Sequence, residues 1–200
     1  MTEMELREEI RRYEPFNEQE REDKEEILRQ MEQTDHILTR DNRNAHITVS
    51  AWIMDRDRKK VLMAYHNIYQ SWAWLGGHAD GNADLKAVAL KEIREESGLE
   101  SVRFVTEDIF SLEILTVDGH EKRGSYVPSH LHLNVSYLLE TDEEEVLRIK
   151  PDENSGVRWF FLEEALAACS EPWMIERVYK KLNAKVRERF GGTYGMQRGE

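Results

Sequence analysis

The chain is 200 residues long, and 18 of them are aromatic, which is enough for one well-packed domain with additions and argues against wholesale disorder. Forty acidic and 28 basic side chains give a net charge of −12, which repels nucleic-acid backbones and speaks against a polymer-coating protein. The single cysteine, Cys169, leaves no intrachain disulfide and no cysteine-based zinc cage. No apolar run approaches the roughly 20 residues of a membrane span, and the first residues lack the pattern of a signal peptide, so a cytoplasmic protein is expected.

Half of the excess charge lies in residues 1–45, with 14 acids and eight bases. Asn17 is placed to cap a helix reaching about Gln33, whose apolar stripe is thin: Ile27, Leu28 and Met31. This stretch reads as a helical N-terminal extension. From His46 the pattern turns to strands, over His46–Met54, Val61–His66 and Trp72–Leu75. The pair Gly76-Gly77 and a polar loop lead to a helix from about Asp84 to Ser97, with Gly98 where a C-cap belongs. Strands follow near Ile109–Val117, Leu131–Leu139 and Val157–Phe161. Helices are expected over Leu162–Cys169 and after Pro172, where Met174, Val178, Leu182 and Val186 fall at four-residue steps. Strands interrupted by a central helix and closed by C-terminal helices indicate a layered α/β or α+β domain. It is expected over residues 46–190, with 191–200 as a disordered tail.

The chemistry concentrates in the central helix. Glu92, Glu95 and Glu96 fall within an arc of roughly 100°, beside the apolar arc of Leu85, Ala89, Leu90 and Ile93. Three like charges on one helix edge repel one another, and the helix's own stability does not ask for them. A hard divalent cation resolves the repulsion. Mg²⁺ takes oxygen ligands and is usually held by one or two carboxylates plus substrate phosphates, and Mn²⁺ can substitute for it. The preceding glycines let the backbone approach such a ligand closely, which makes the Gly77 carbonyl a candidate for the coordination sphere.

The stretch Gly77–Leu99 resembles the signature of the Nudix hydrolases, G-x5-E-x7-R-E-U-x-E-E-x-G-U with U aliphatic. Gly77 opens it, and Glu92, Ile93, Glu95, Glu96, Gly98 and Leu99 match its second half. Two positions depart: Ala83 stands where the signature has its first glutamate, and Lys91 where it has arginine. Asp80 and Asp84 are near enough in sequence to replace the missing carboxylate. Lys91 keeps the charge but not the bidentate fork of arginine. The resemblance implies an α/β/α sandwich with a mixed sheet and hydrolysis of a nucleoside diphosphate linked to another group. It implies that Glu92, Glu95 and Glu96 are metal ligands, that one carboxylate is the general base on water, and that the protein is a homodimer. A nucleotide-binding module with lost catalysis is the alternative. The isomerase that shares this fold uses a cysteine near the start of the motif, and none is there.

Further candidates lie outside the motif. Glu153, ahead of the strand at Val157, sits where Nudix proteins often offer another carboxylate. His78 follows the glycine pair and is a candidate phosphate contact. His130 and His132 share one face of a strand, and His132 is taken to look into the cleft. Lys122 and Arg123, in the loop Asp118–Ser129, are candidates for a phosphate clamp. Trp74 alternates with Trp72 and offers a stacking wall for a base; the alternative is a core residue.

Overall fold

The computed structural model describes residues 1–122 and 124–191, with only the backbone of Lys122. Its centre is β1 (Ala45–Asp55), buried along all 11 residues. On one side it runs parallel to β9 (His130–Thr141), with His46 opposite His132. On the other side it is antiparallel to β2 (Lys60–His66) at one end and β4 (Leu75–His78) at the other. Outside β2 lie β3 (Ser71–Ala73) and β10 (Asn154–Phe161). Outside β9 lie β5 (Arg103–Phe104) and β6 (Ser111–Val117). A separate hairpin, β7 (His120–Lys122) and β8 (Ser125–Val127), occupies the stretch expected as a loop.

The two faces of β1 explain the layers. Ile47, Val49, Ala51 and Ile53 join a core with Leu85, Val88, Ala89 and Ile93 of α3 (Leu85–Ser97). The same core takes in Leu6 and Ile10 of α1 (Glu3–Arg12) and Ile27 and Met31 of α2 (Glu18–Gln33). Trp52 and Met54 face the other way, toward Ala165 of α4 (Leu162–Ala168). That second core continues into the C-terminal helix, which starts as α5 (Pro172–Met174), passes through a π-helical turn over Ile175–Tyr179 and ends as α6 (Lys180–Phe190). Helices therefore cover both faces of a mixed sheet, as the sequence implies.

Local signals set the helices. Asn17 caps α2 by accepting from the Glu20 N–H at 2.9 Å, and Asp84 caps α3 by accepting from the Ala87 N–H at 3.2 Å. Gly98 closes α3 with φ at +76°, a conformation few side chains tolerate. Helix α1, unforeseen in detail, opens on a reciprocal capping box between Thr2 and Glu5. The extension is pinned by buried charges. Glu20 of α2, fully buried, meets Lys181 at 3.1 Å and Lys185 at 2.9 Å, and Lys181 also meets Glu113 of β6 at 2.9 Å. Of the expected tail, all but Gly191 lies outside the described residues.

Candidate functional site

Only half of the second face of β1 is apolar. His46, Thr48 and Ser50 occupy the positions before Trp52, and their β9 neighbours are His132, Asn134 and Ser136. Of these, Thr48, Ser50, His132 and Asn134 form the floor of a cleft of about 690 Å³, a size suited to a nucleotide-scale ligand. Asn134 binds the floor together, accepting from Thr48 at 3.0 Å and Ser50 at 2.9 Å and donating to Glu113 at 3.0 Å.

One wall of the cleft is acidic. Carboxylate oxygens of Glu92 and Glu96, from α3, and Glu153, just before β10, lie within 4.8 Å of one another. Chain topology brings Glu153 there: the Asn154 amide donates to the Glu96 backbone carbonyl at 2.9 Å, docking the start of β10 on the end of α3. Glu95 borders the same cleft but stands outside this triple. Its carboxylate meets Lys150 at 3.1 Å and Lys91 at 3.4 Å, while Lys150 also meets Glu153 at 3.0 Å. Lys150 holds Glu95 below the usual carboxylate range.

Glu96 is the buried member, 8% exposed. Burial pushes its pKa up to about 8, and nearby Glu153 and Glu92 add to the shift, against a bond from the Gly76 N–H at 3.1 Å and the positive charge of Lys150. A cation among these oxygens reverses that balance, so the donor set fits a hard divalent ion. Gly77 adds a steric reason for the glycine pair. A Cβ there would stand 2.6 Å from the Glu92 carboxyl carbon, so only glycine leaves this carboxylate its place.

Both departures from the motif have physical consequences. Ala83 is buried in the first core, 6% exposed, and contributes no polar atom to the cleft. Neither Asp80 nor Asp84 joins the Glu92, Glu96 and Glu153 group, although Asp80 borders the cleft. Asp84 is committed to capping α3, and Asp80 forms a two-pronged ion pair with Arg40 at 2.6 and 2.8 Å. Lys91 reaches Glu92 at 2.9 Å as well as Glu95, so it bridges two carboxylates as a point charge.

The remaining candidates divide. His78, His132 and Trp74 line the cleft with the acids. Burial and the neighbouring His78, His46 and His130 push the pKa of His132 down to about 2, so it is neutral at physiological pH. Trp74 packs edge-on against Tyr179, and Tyr69 and Met174 border the cleft nearby. Trp72 instead packs edge-on against Tyr65 and Phe160. Lys122 lies in β7, whereas Arg123 lies outside the described residues. The sequence reading missed Arg40, Lys150, Tyr69 and His46 as neighbours of the site. The polar alternation of His46, Thr48 and Ser50 in an otherwise apolar strand was the available signal.

A sequence model of the NUDIX domain matches residues 44–182 of this chain. The chain belongs to the Nudix family. Among curated proteins it is similar to nucleoside diphosphate-linked moiety X motif 6 of Xenopus laevis, 27% identical over 152 residues and covering 72% of this chain. The match spans 63% of that relative's length. The fold is similar to that of a C. elegans Ap4A hydrolase in a binary complex, with a TM-score of 0.54 and 18% identity over 73% of this chain and 98% of that one. It is also similar to the E. coli dihydroneopterin triphosphate pyrophosphohydrolase, with a TM-score of 0.51 and 14% identity over 68% and 92% of the two chains. The NUDIX domain of Shewanella oneidensis NrtR, solved with ADP ribose, gives 0.50 and 17% over 80% and 96%. Among the described residues, no helix is long and apolar enough to cross a membrane.

Proposed function

We infer that this protein is a divalent-metal-dependent pyrophosphohydrolase acting on a nucleoside diphosphate linked to another group. The carrying observation is the convergence of Glu92, Glu96 and Glu153 on one small volume in the wall of a nucleotide-sized cleft. In this reading these three carboxylates hold Mg²⁺ or Mn²⁺, with Glu95 and the Gly77 carbonyl at its margin. The ion, when bound, would neutralise diphosphate charge and acidify water. Glu96 would release its proton to solvent as the ion binds, because the burial that raises its pKa is then opposed by the cation. Lys91 pairs with Glu92 and Lys150 with Glu95, which orients both carboxylates. One of the anionic glutamates takes the proton of the attacking water, and the chain otherwise acts by holding water and phosphorus in line.

The rest of the cleft supports a nucleotide as occupant. Trp74 and Tyr69 offer aromatic surface for a base, and Arg40, His78 and His132 offer polar contacts for a phosphate or sugar. The relatives' printed names, which include Ap4A and dihydroneopterin triphosphate among hydrolysed compounds and ADP ribose as a bound one, set the first panel to assay. We place the protein in the cytoplasm, as a homodimer, with no membrane and no nucleic-acid polymer among its partners.

The test is a phosphate-release screen over nucleoside diphosphate derivatives with Mg²⁺, with Mn²⁺ and with chelator, using Glu92→Gln as control. Turnover that needs the metal and falls by a factor on the order of 10² or more in the variant supports the reading. Metal binding and nucleotide binding without turnover on any compound would replace it with a binding module, and Ala83→Glu would then be the variant to make.

A further inference from the structure

Apart from the carboxylates, one other group of metal-ligating side chains comes together among the described residues. His46 pairs in register with His132 across the parallel β1–β9 ladder, and His130 stands two residues away on the same face of β9. One ring nitrogen from each lies within 4.8 Å of the other two. The Nε2 atoms of His130 and His132 are 3.2 Å apart. This contact is a hydrogen bond between the two rings, and its length is close to the roughly 3.3 Å that separates two nitrogens bound to one zinc ion at tetrahedral angles, so an ion could take the place of the shared proton with little movement.

The hydrogen bonds on the far side of the rings prepare the same arrangement. The Nδ1 of His46 lies 3.1 Å from the Asn42 carbonyl oxygen, and that of His130 lies 2.9 Å from the Pro128 carbonyl oxygen. A carbonyl only accepts, so in the neutral rings both Nδ1 atoms carry the proton and both Nε2 atoms present lone pairs. Backbone carbonyls bonded to the remote nitrogen are a common means of orienting histidine ligands. His46 supplies an independent sign. The residue is 4% exposed, and its Nε2 is buried with no hydrogen-bond partner among the described residues. A buried nitrogen lone pair with no partner calls for an explanation, and two other imidazoles stand beside this one.

We propose that His46, His130 and His132 bind a borderline transition-metal ion, Zn²⁺ foremost, at a site separate from the carboxylates. Ligand softness sorts the ions: imidazole nitrogen suits zinc, and the all-oxygen set suits magnesium. Arg40, the nearby cation, is neutralised by its ion pair with Asp80. Three protein ligands leave a fourth position for water or for an oxygen of the cleft's occupant, which His132 borders. The site does not depend on the hydrolase reading.

The test uses the full-length protein stripped with chelator and titrated with Zn²⁺ alone against a chromophoric competitor. Co²⁺ is added in parallel for its visible spectrum. The expected result is one equivalent bound more tightly than about 1 µM, with the strong visible absorption of tetrahedral cobalt. His130 is only half-buried, so His130→Ala keeps the fold, as circular dichroism will verify. This variant should weaken zinc at least tenfold and abolish the cobalt spectrum, as should His132→Ala, while Glu92→Gln leaves both unchanged. Binding weaker than about 1 µM, binding that survives in folded His130→Ala, or binding lost in Glu92→Gln would each overturn the site.

Discussion

Replacing Glu96 by glutamine separates its structural cost from its chemical use. Its carboxyl titrates near 8 in the metal-free fold, against an ordinary value of 4.5. A raised carboxyl pKa removes stability as pH rises: nothing is lost below 4.5, and the loss is complete above 8. At pH 7 the unfolded glutamate is ionised while the folded one still holds its proton, which costs the fold about 3 kcal/mol. At pH 5 the same arithmetic leaves about 1 kcal/mol. Glutamine keeps the shape, never ionises, and can still accept from the Gly76 N–H through its Oε1. In chelator at pH 7, Glu96→Gln should therefore be more stable by about 3 kcal/mol, a rise of roughly 5–10 °C in Tm. Saturating Mg²⁺ should erase the advantage by stabilising the wild type and not the variant. Calorimetry of both proteins at pH 5 and 7, in chelator and in Mg²⁺, reads all of this. A variant less stable than the wild type in chelator at pH 7, or a gap that does not shrink at pH 5, would refute the reasoning.

Three further outcomes follow from other contacts. Gly77→Ala sets a Cβ against the Glu92 carboxyl, so turnover should fall at least tenfold with the circular dichroism spectrum retained. Glu20→Gln leaves Lys181 and Lys185 buried with one carboxylate fewer, and urea unfolding at pH 7 should show a loss of about 3 kcal/mol. In the wild type, burial acting on Glu20 is outweighed by these two lysines, which hold its pKa at about 2. Its contribution is present above pH 4.5 and is lost as pH falls toward 2, whereas the variant should show a flatter acid limb. Trp74→Ala should raise KM about tenfold for a base-bearing substrate with little change in kcat, checked by steady-state kinetics.

Features written in consecutive residues were legible from the sequence. Asn17, Asp84 and Gly98 each do at a helix end what their chemistry suggests, and Glu92 and Glu96 project from the predicted edge of α3. Features made by strand pairing were less so. Glu153 joins the acids because Asn154 ties β10 to α3 across 58 positions of chain, although its place in the sequence gave a hint. The histidine group needs the β1–β9 register, without which His46 is only one residue of a strand. Asp80 and Asp84 show the reverse: they are near the motif in sequence, but an ion pair with Arg40 and a helix cap engage them, which only the fold reveals. The buried charges of Glu20 and Lys181 are invisible in the sequence, because each looks like a solvated residue on its own helix.

A hydrolytic centre built on these carboxylates is tested most directly by the rate of phosphoanhydride hydrolysis as Mg²⁺ is titrated from full chelation to saturation, with wild type and Glu96→Gln side by side on the best substrate of the panel. It predicts no turnover in chelator, a saturable rise with Mg²⁺ for the wild type, and a rate lower by a factor on the order of 10² or more for the folded variant. Equal rates in the two proteins, or turnover that persists in chelator, would contradict a hydrolytic centre built on these carboxylates.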